Sequence, residues 1–291
     1  MRVAVGQMTS TSVHATNLHI ANELCERAKA AGAAMLALPE CFAFIGGSEA
    51  KETVAQATAL NDEPFGDFQG LARRHGLWLS CGGFHERASA SKVYNSHVIV
   101  DASGSIVRAY RKCHLFDVSI PGGAVLMESK TTVPGDAVAE VVETPVGRLG
   151  LTTCYDLRFP ELFTALARRG AEVILVPSAF TVPTGLAHWH LLLRARAVET
   201  QCYVAAAAQV GTHNAKRRSF GHALAVDPWG DVLADAGGEA SPAIVCFDVD
   251  RDKLATLRAR MPIQKHRRQD VLELALFDRG DDEETAAARD Y

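Results

Sequence analysis

Cys154 lies in Gly150-Leu151-Thr152-Thr153-Cys154-Tyr155-Asp156-Leu157-Arg158-Phe159-Pro160-Glu161, where an apolar strand passes through a tight turn into a helix. A thiol at such an elbow points out of the sheet toward a helix N-terminus. The free N–H groups there favour a thiolate and can hold an oxyanion. A single cysteine in this place also suits a small apolar plug at a strand end. Glu40 closes Leu36-Ala37-Leu38-Pro39-Glu40, and burial at the end of an apolar strand would raise its pKa toward that of a general base; in solvent it would be an ordinary turn acid. Lys112, in Tyr110-Arg111-Lys112-Cys113-His114-Leu115-Phe116-Asp117, also follows a strand, a place where most lysines are exposed. A thiol nucleophile commonly takes His as its base, yet none of the 11 histidines stands in a cysteine-protease context.

Metal and nucleotide chemistry find no support. His188-Trp189-His190 would sit on a helix, where an i, i+2 spacing turns the two rings away from each other. There is no Gly-rich phosphate loop and no G-x-G-x-x-G. No cofactor and no metal is implied.

The elements that must position these groups alternate between short apolar runs and helical patterns. Strands are expected at residues 2–8, 35–38, 77–80, 93–100, 106–110, 138–143, 148–152, 173–176, 203–209 and 243–249, with two more flanking Asp227-Pro228-Trp229-Gly230. Helical spacing runs from Leu18 to Ala28 and stops at Gly32; further helices are expected at 65–75, 159–169, 186–199 and 250–260. Asp101-Ala102-Ser103-Gly104-Ser105 and Thr144-Pro145-Val146-Gly147 read as hairpin turns. Crossovers and hairpins mix without a linker or repeat, so the expected fold is α/β, with mixed sheets and helices outside them.

The chain has 291 residues, a length suited to one large core or two small ones. Its 30 Lys+Arg against 34 Asp+Glu give −4, and residues 278–291 alone hold six acids and two arginines, also −4. A neutral domain over 1–277 with a charged tail at 278–291 is therefore expected. Such a body offers no broad electrostatic footprint for nucleic acid or an anionic membrane. The runs Lys216-Arg217-Arg218 and Lys265-His266-Arg267-Arg268 read as solvated loop ends. No apolar run reaches the roughly 20 residues of a membrane span, and no secretory leader is seen. Seven scattered cysteines, never Cys-x-x-Cys, exclude a zinc ribbon and argue against a disulfide framework. A reduced cytoplasmic setting is expected, with a mitochondrial form left open.

Taken together, Leu38-Pro39-Glu40, Tyr110-Arg111-Lys112-x-His114-Leu115-Phe116-Asp117 and Cys154-Tyr155-Asp156-x-Arg158-Phe159-Pro160-Glu161 resemble, in order and context, the nitrilase superfamily of carbon–nitrogen hydrolases. The likeness extends to Pro262-Ile263-Gln264-x-His266-Arg267-Arg268. It implies an α-β-β-α sandwich of the nitrilase type that pairs through helices into a four-layer-forming homodimer or a higher even-numbered assembly. It also implies a catalytic Glu40–Lys112–Cys154 triad, with Glu128 as a second glutamate orienting it. Lys112 beside Cys154 would favour the thiolate and meet the developing oxyanion, with the Tyr155 N–H as second donor. Glu40 would carry the proton from the thiol to the leaving amine and then activate water.

Within the superfamily, Phe42-x-Phe44-Ile45, the run Gly76–Arg87 and the run Arg194–Val204 look like the branch acting on deaminated glutathione, which yields α-ketoglutarate and Cys-Gly. The neighbouring ω-amidase branch, acting on α-ketoglutaramate, carries a tyrosine where this chain has Gly46. That exchange is expected to leave room for a longer leaving group. Arg158 matches the position that grips a substrate carboxylate in ω-amidases, and a structural salt bridge is its other reading. Thr184 is a further candidate for the same pocket. The expected partner is a small-molecule amide. A nitrilase proper and a non-catalytic binding protein on the same fold are the alternatives, the intact triad speaking against the second.

Overall fold

The computed structural model describes residues 1–47, 50–119, 125–268 and 270–271; the end of the expected 1–277 unit and the tail at 278–291 lie outside the described residues. Besides a small hairpin sheet of Asp117–Ser119 and Val125–Met127, the described residues form two large sheets, the first in the order Arg218–Phe220, Ala208–Thr212, Arg2–Met8, Met35–Leu38, Trp78–Arg87, Val93–Val100, Ile106–Arg111. Ala243–Asp248 also lies antiparallel to Arg2–Met8. The second sheet runs Val232–Asp235, Leu224–Val226, Tyr203–Ala206, Val173–Leu175, Gly147–Leu151, Val142–Thr144. Each has a parallel centre and antiparallel margins. Among the described residues seven α-helices accompany them: α1 (His14–Ala30), α2 (Ala50–Gln56), α3 (Phe65–His75), α4 (Pro160–Arg168), α5 (Val182–Thr200), α6 (Arg251–Arg260) and α7 (Ile263–His266).

The two-residue period of a strand explains the layers. Val3, Val5, Met35 and Ala37 join Leu149, Leu151, Val173 and Leu175 in the core between the sheets. Their neighbours Ala4, Leu36 and Leu38 face the other way, onto Leu24 and Ala28 of α1 and Phe68 and Leu71 of α3. Helices α4 and α5 bury Phe163, Leu166, Trp189 and Leu193 against the second sheet. The result is the α-β-β-α order that the resemblance implies.

Most expected elements are present, with instructive differences. The run at 203–209 is two strands: Tyr203–Ala206 pairs within the second sheet and Ala208–Thr212 crosses into the first. Both halves are buried on both faces, so an unbroken apolar run hides the change of sheet. Helix α5 starts a turn before residue 186, with Pro183 in its first turn, where a missing N–H costs nothing. The strand expected at 77–80 extends to Arg87, and the one at 138–143 is only Val142–Thr144. Neither α2 nor the strand Arg218–Phe220 was expected from periodicity.

The chemistry gathers where parallel strands end, as is general for open α/β sheets. Glu40 follows Met35–Leu38, and Cys154 follows Gly147–Leu151. Gly82 and Gly83 form a bulge in the strand beside Glu40. A Cβ on Gly82 would lie 2.0 Å from Pro177 Cβ, and one on Gly83 (φ +68°) 2.9 Å from Glu40 Cα. These two glycines let the backbone pass directly against the site.

Candidate active site

Glu40, Lys112 and Glu128 form one ionic cluster. Lys112 Nζ donates to Glu40 Oε1 at 3.1 Å and to Glu128 Oε2 at 2.8 Å. Asn95 Nδ2 also donates to both acids, at 2.9 Å to Glu40 and 3.2 Å to Glu128. Glu40 Oε2 accepts from Ala179 N–H at 3.0 Å, and Glu128 Oε2 from Phe116 N–H at 2.7 Å. The side chain of Lys112 is 2% exposed and that of Glu40 5%, so neither is the solvated group that its type would suggest in isolation. Buried charges persist only when paired and hydrogen-bonded, and each of these is.

Cys154 opens a short 3₁₀ turn, Cys154–Arg158, with φ +49°. A left-handed non-glycine residue is strained and needs its surroundings to hold it there. Its N–H donates to Pro177 O at 2.9 Å. Asp156, fully buried, accepts from Thr153 N at 2.9 Å, Tyr110 Oη at 2.8 Å, His114 N at 3.1 Å and His114 Nδ1 at 2.7 Å. One carboxylate thus fastens the Cys154 turn to the loop carrying Lys112. His97 does the same from behind, linking Ser80 Oγ (2.7 Å) to Thr152 O (2.8 Å). The Tyr155 N–H lies in the first turn, where a helix offers no internal acceptor, so it can serve an oxyanion.

The electrostatics correct two expectations. Burial alone would raise Glu40, but the Lys112 ammonium, a hydrogen bond with Cys154, Arg217 and Asn95 outweigh it and hold the carboxyl below its ordinary value. Burial, and then the Glu40 charge, push the Cys154 thiol well above its ordinary value against the pull of Lys112. A resting thiolate is therefore not what the site holds. The resting state is a thiol next to a carboxylate. Burial would lower Lys112, yet Glu128 and Glu40 keep its ammonium well above the usual range. The set can hand a proton from Sγ to Glu40 as sulfur attacks a carbonyl, with Lys112 beside the developing oxyanion.

Around this cluster stand the candidates for substrate contact. Arg158 makes no salt bridge with a carboxylate among the described residues, against its structural reading. Its nitrogens lie 3.3–3.4 Å from His188 Nδ1, and the guanidinium is 5.7 Å from the rings of Tyr155 and Phe180. Thr184 Oγ1 hydrogen-bonds Thr181 at the start of α5, one turn before His188 and on the same face. At Gly46 the expected free space is absent: a Cβ there would meet Glu52 Oε2 at 2.8 Å and the Phe44 ring at 3.0 Å.

Three residues were missed. Asn95 and His97 are polar residues on a buried strand, a signal that was legible. Arg217, read as a solvated loop end, is exposed, but its turn is tied to the loop after Glu40 through Asn214 and Gly46, and its charge acts on Cys41, Glu40 and Cys154. Away from the site, His190, His222 and Asp235 place one potential metal-ligand atom each within 4.8 Å of one another. Both imidazoles are hydrogen-bonded to Asp235, at 2.9 and 3.0 Å. As their spacing implied, His188 and His190 reach different partners.

Residues 2–259 match the family model described as carbon-nitrogen hydrolase. The chain is 47% identical over 273 residues to the deaminated glutathione amidase of Homo sapiens, covering 92% of this chain and 83% of that protein. The crystal structure of the C. elegans NitFhit protein matches at TM-score 0.85 and 45% identity, covering 93% of this chain and 65% of that one. An amidase from Nesterenkonia sp. AN1, in a mutant showing Michael addition of acrylamide at its active-site cysteine, matches at TM-score 0.74 and 28% identity. That match covers 91% of this chain and 99% of that one.

Proposed function

This chain belongs to the carbon-nitrogen hydrolase family, a nitrilase-superfamily hydrolase of non-peptide carbon–nitrogen bonds, and on that premise we propose that it hydrolyses deaminated glutathione to α-ketoglutarate and Cys-Gly through a Cys154 acyl-enzyme. The observation that carries the mechanism is the ionic cluster of buried Glu40 and Lys112 with half-buried Glu128, beside a Cys154 thiol held well above its ordinary pKa by burial. Sγ attacks the γ-amide carbonyl while its proton passes to Glu40 Oε. Lys112 Nζ and the Tyr155 N–H hold the oxyanion. Lys112 Nζ meets Glu40 Oε1 at 3.1 Å and the two Glu128 oxygens at 3.1 and 2.8 Å; with the Glu128 pair sharing one N–H, the third can turn to substrate. Glu40 then gives the proton to the departing amine nitrogen, and the C–N bond breaks. Water enters, loses its proton to Glu40, adds to the thioester, and the thiolate leaves and is reprotonated. A binding protein without chemistry would gain nothing from burying Glu40 and Lys112 beside a thiol.

Support for the substrate comes from the relatives' printed names and from Arg158. Among the described residues its guanidinium has no carboxylate partner of its own; it stands one turn past Cys154 and suits the α-keto carboxylate head. Pairing into a homodimer is supported by α5, where Leu191 and Val198 share one face and are 67% and 43% exposed, beside Trp229 at 60%. Among the described residues no helix is long and apolar enough to cross a membrane, and all seven cysteines are free, which fits the cytoplasmic location we assign.

A panel of ω-amides tests the reading, with released amine measured. The expected kcat/KM for deaminated glutathione exceeds that for α-ketoglutaramate at least tenfold, about 1.4 kcal/mol of discrimination. A clear preference for α-ketoglutaramate would move the chain to the ω-amidase reading.

A further inference from the structure

Glu40, Glu128 and Lys112 sum to one net negative charge at the bottom of the site. An anionic substrate therefore needs further cations, and the structure supplies two, each on segments that follow strands of a different sheet. Arg158 stands with Tyr155, Phe180 and His188, on the segments that follow strands of the second sheet. Arg217 stands with Glu40 and Cys41, on segments that follow strands of the first.

The main chain fixes Arg217 there. His213 N–H donates to Arg217 O at 2.9 Å and Arg217 N–H to Asn214 Oδ1 at 2.9 Å, closing a turn between Ala208–Thr212 and Arg218–Phe220. Asn214 Nδ2 ties that turn to Gly46 O at 2.7 Å, on the loop after Glu40. His213 Nδ1 meets Ser10 O at 2.9 Å and its Nε2 meets Ser219 Oγ at 2.8 Å, so the turn is braced on both sides. Arg217 is exposed, the turn that carries it is tied to the loop after Glu40, its charge acts on Cys41 and Glu40, and among the described residues it forms no salt bridge with a carboxylate.

Direction follows from the chemistry. Glu40 protonates the leaving nitrogen, so the leaving group departs over the Glu40 side of Cys154 and the acyl part lies opposite, toward Arg158. We propose that Arg217 binds the terminal carboxylate of the leaving dipeptide, making a second anion subsite that selects a leaving group ending in a carboxylate. This assignment rests on the substrate reading above. A guanidinium fork matches a carboxylate with two parallel hydrogen bonds, and a neutral carboxamide in the same place loses the charge while keeping the shape.

The test compares deaminated glutathione with its glycine carboxamide, on purified wild type, Arg217→Met and Arg217→Lys. The wild-type kcat/KM ratio of acid to amide should be tenfold or more, should fall toward one in Arg217→Met, and should be intermediate in Arg217→Lys. A wild-type ratio near one overturns the subsite without any variant. So does an Arg217→Met ratio equal to that of the wild type. A wild type that hydrolyses α-ketoglutaramate but neither of these compounds overturns the substrate reading, and the subsite with it.

Discussion

The Tyr110 hydroxyl donates to Asp156 Oδ2 at 2.8 Å, so the strand that leads to Lys112 is tied to the turn that carries Cys154. These residues belong to different sheets, and their juncture fixes the distance between ammonium and thiol. Each Asp156 oxygen accepts two of the four bonds, so Asp156→Asn sets an NH2 donor against two donors. Stability should fall by about 2–3 kcal/mol and kcat/KM at least tenfold. Tyr110→Phe removes one donor to Asp156 and the acceptor of the Cys113 N–H, sets no donor against another, and should do less on both counts. Thermal unfolding and steady-state kinetics on the same preparations check this; an Asp156→Asn enzyme of full activity would remove the residue from the site's support.

Glu128 sets the alkaline edge. With Glu128 neutralised, Lys112 loses its strongest raising influence while its burial is unchanged, so its pKa drops. The ammonium is the form that meets the oxyanion. The alkaline limb of kcat/KM in Glu128→Gln should therefore move to lower pH than in the wild type, with a reduced plateau. The acid limb reports Glu40, whose carboxyl is held below its ordinary value against burial, chiefly by the Lys112 ammonium, so that limb should lie on the acid side of an ordinary glutamate. Neither limb should sit near 6.5, because no histidine belongs to the triad.

The buried histidines give the fold its own pH dependence. Burial holds His97 to about 4, from 6.5, and does the same to His85 and His213. Between these values an unfolded histidine binds a proton that the folded one does not, so stability rises with pH there and is lost as pH falls from 6.5 toward 4. For fully buried His97 the loss is about 3 kcal/mol at 1.36 kcal/mol per unit. Chemical unfolding at several pH values should show that slope, and His97→Asn should have a shallower one. Equal slopes would mean that His97 is not held neutral.

How much of this the sequence carries depends on the kind of residue. Glu40, Lys112 and Cys154 each end a strand, and their motifs made them legible together although each alone has an ordinary reading. The layers were legible from strand periodicity. The protonation state was not: Cys154 keeps its proton because burial and Glu40 outweigh Lys112, a balance of distances that no motif encodes. Arg217 was hidden for the same reason, since only the folded turn at 213–217 brings it back over Glu40. Gly46 misled because its vacant Cβ direction is filled from α2, by Glu52.

The central claim is a covalent bond between Cys154 and the α-keto acyl group, and intact mass during turnover tests it most directly. Enzyme quenched in acid while hydrolysing deaminated glutathione should gain the mass of one α-ketoglutaryl group, located on the peptide containing Cys154. The same adduct should form from α-ketoglutaramate, since both share that acyl part. Cys154→Ala should stay folded, gain no mass and lose nearly all activity. An adduct on another residue, or a Cys154→Ala protein that still turns over, would contradict the account.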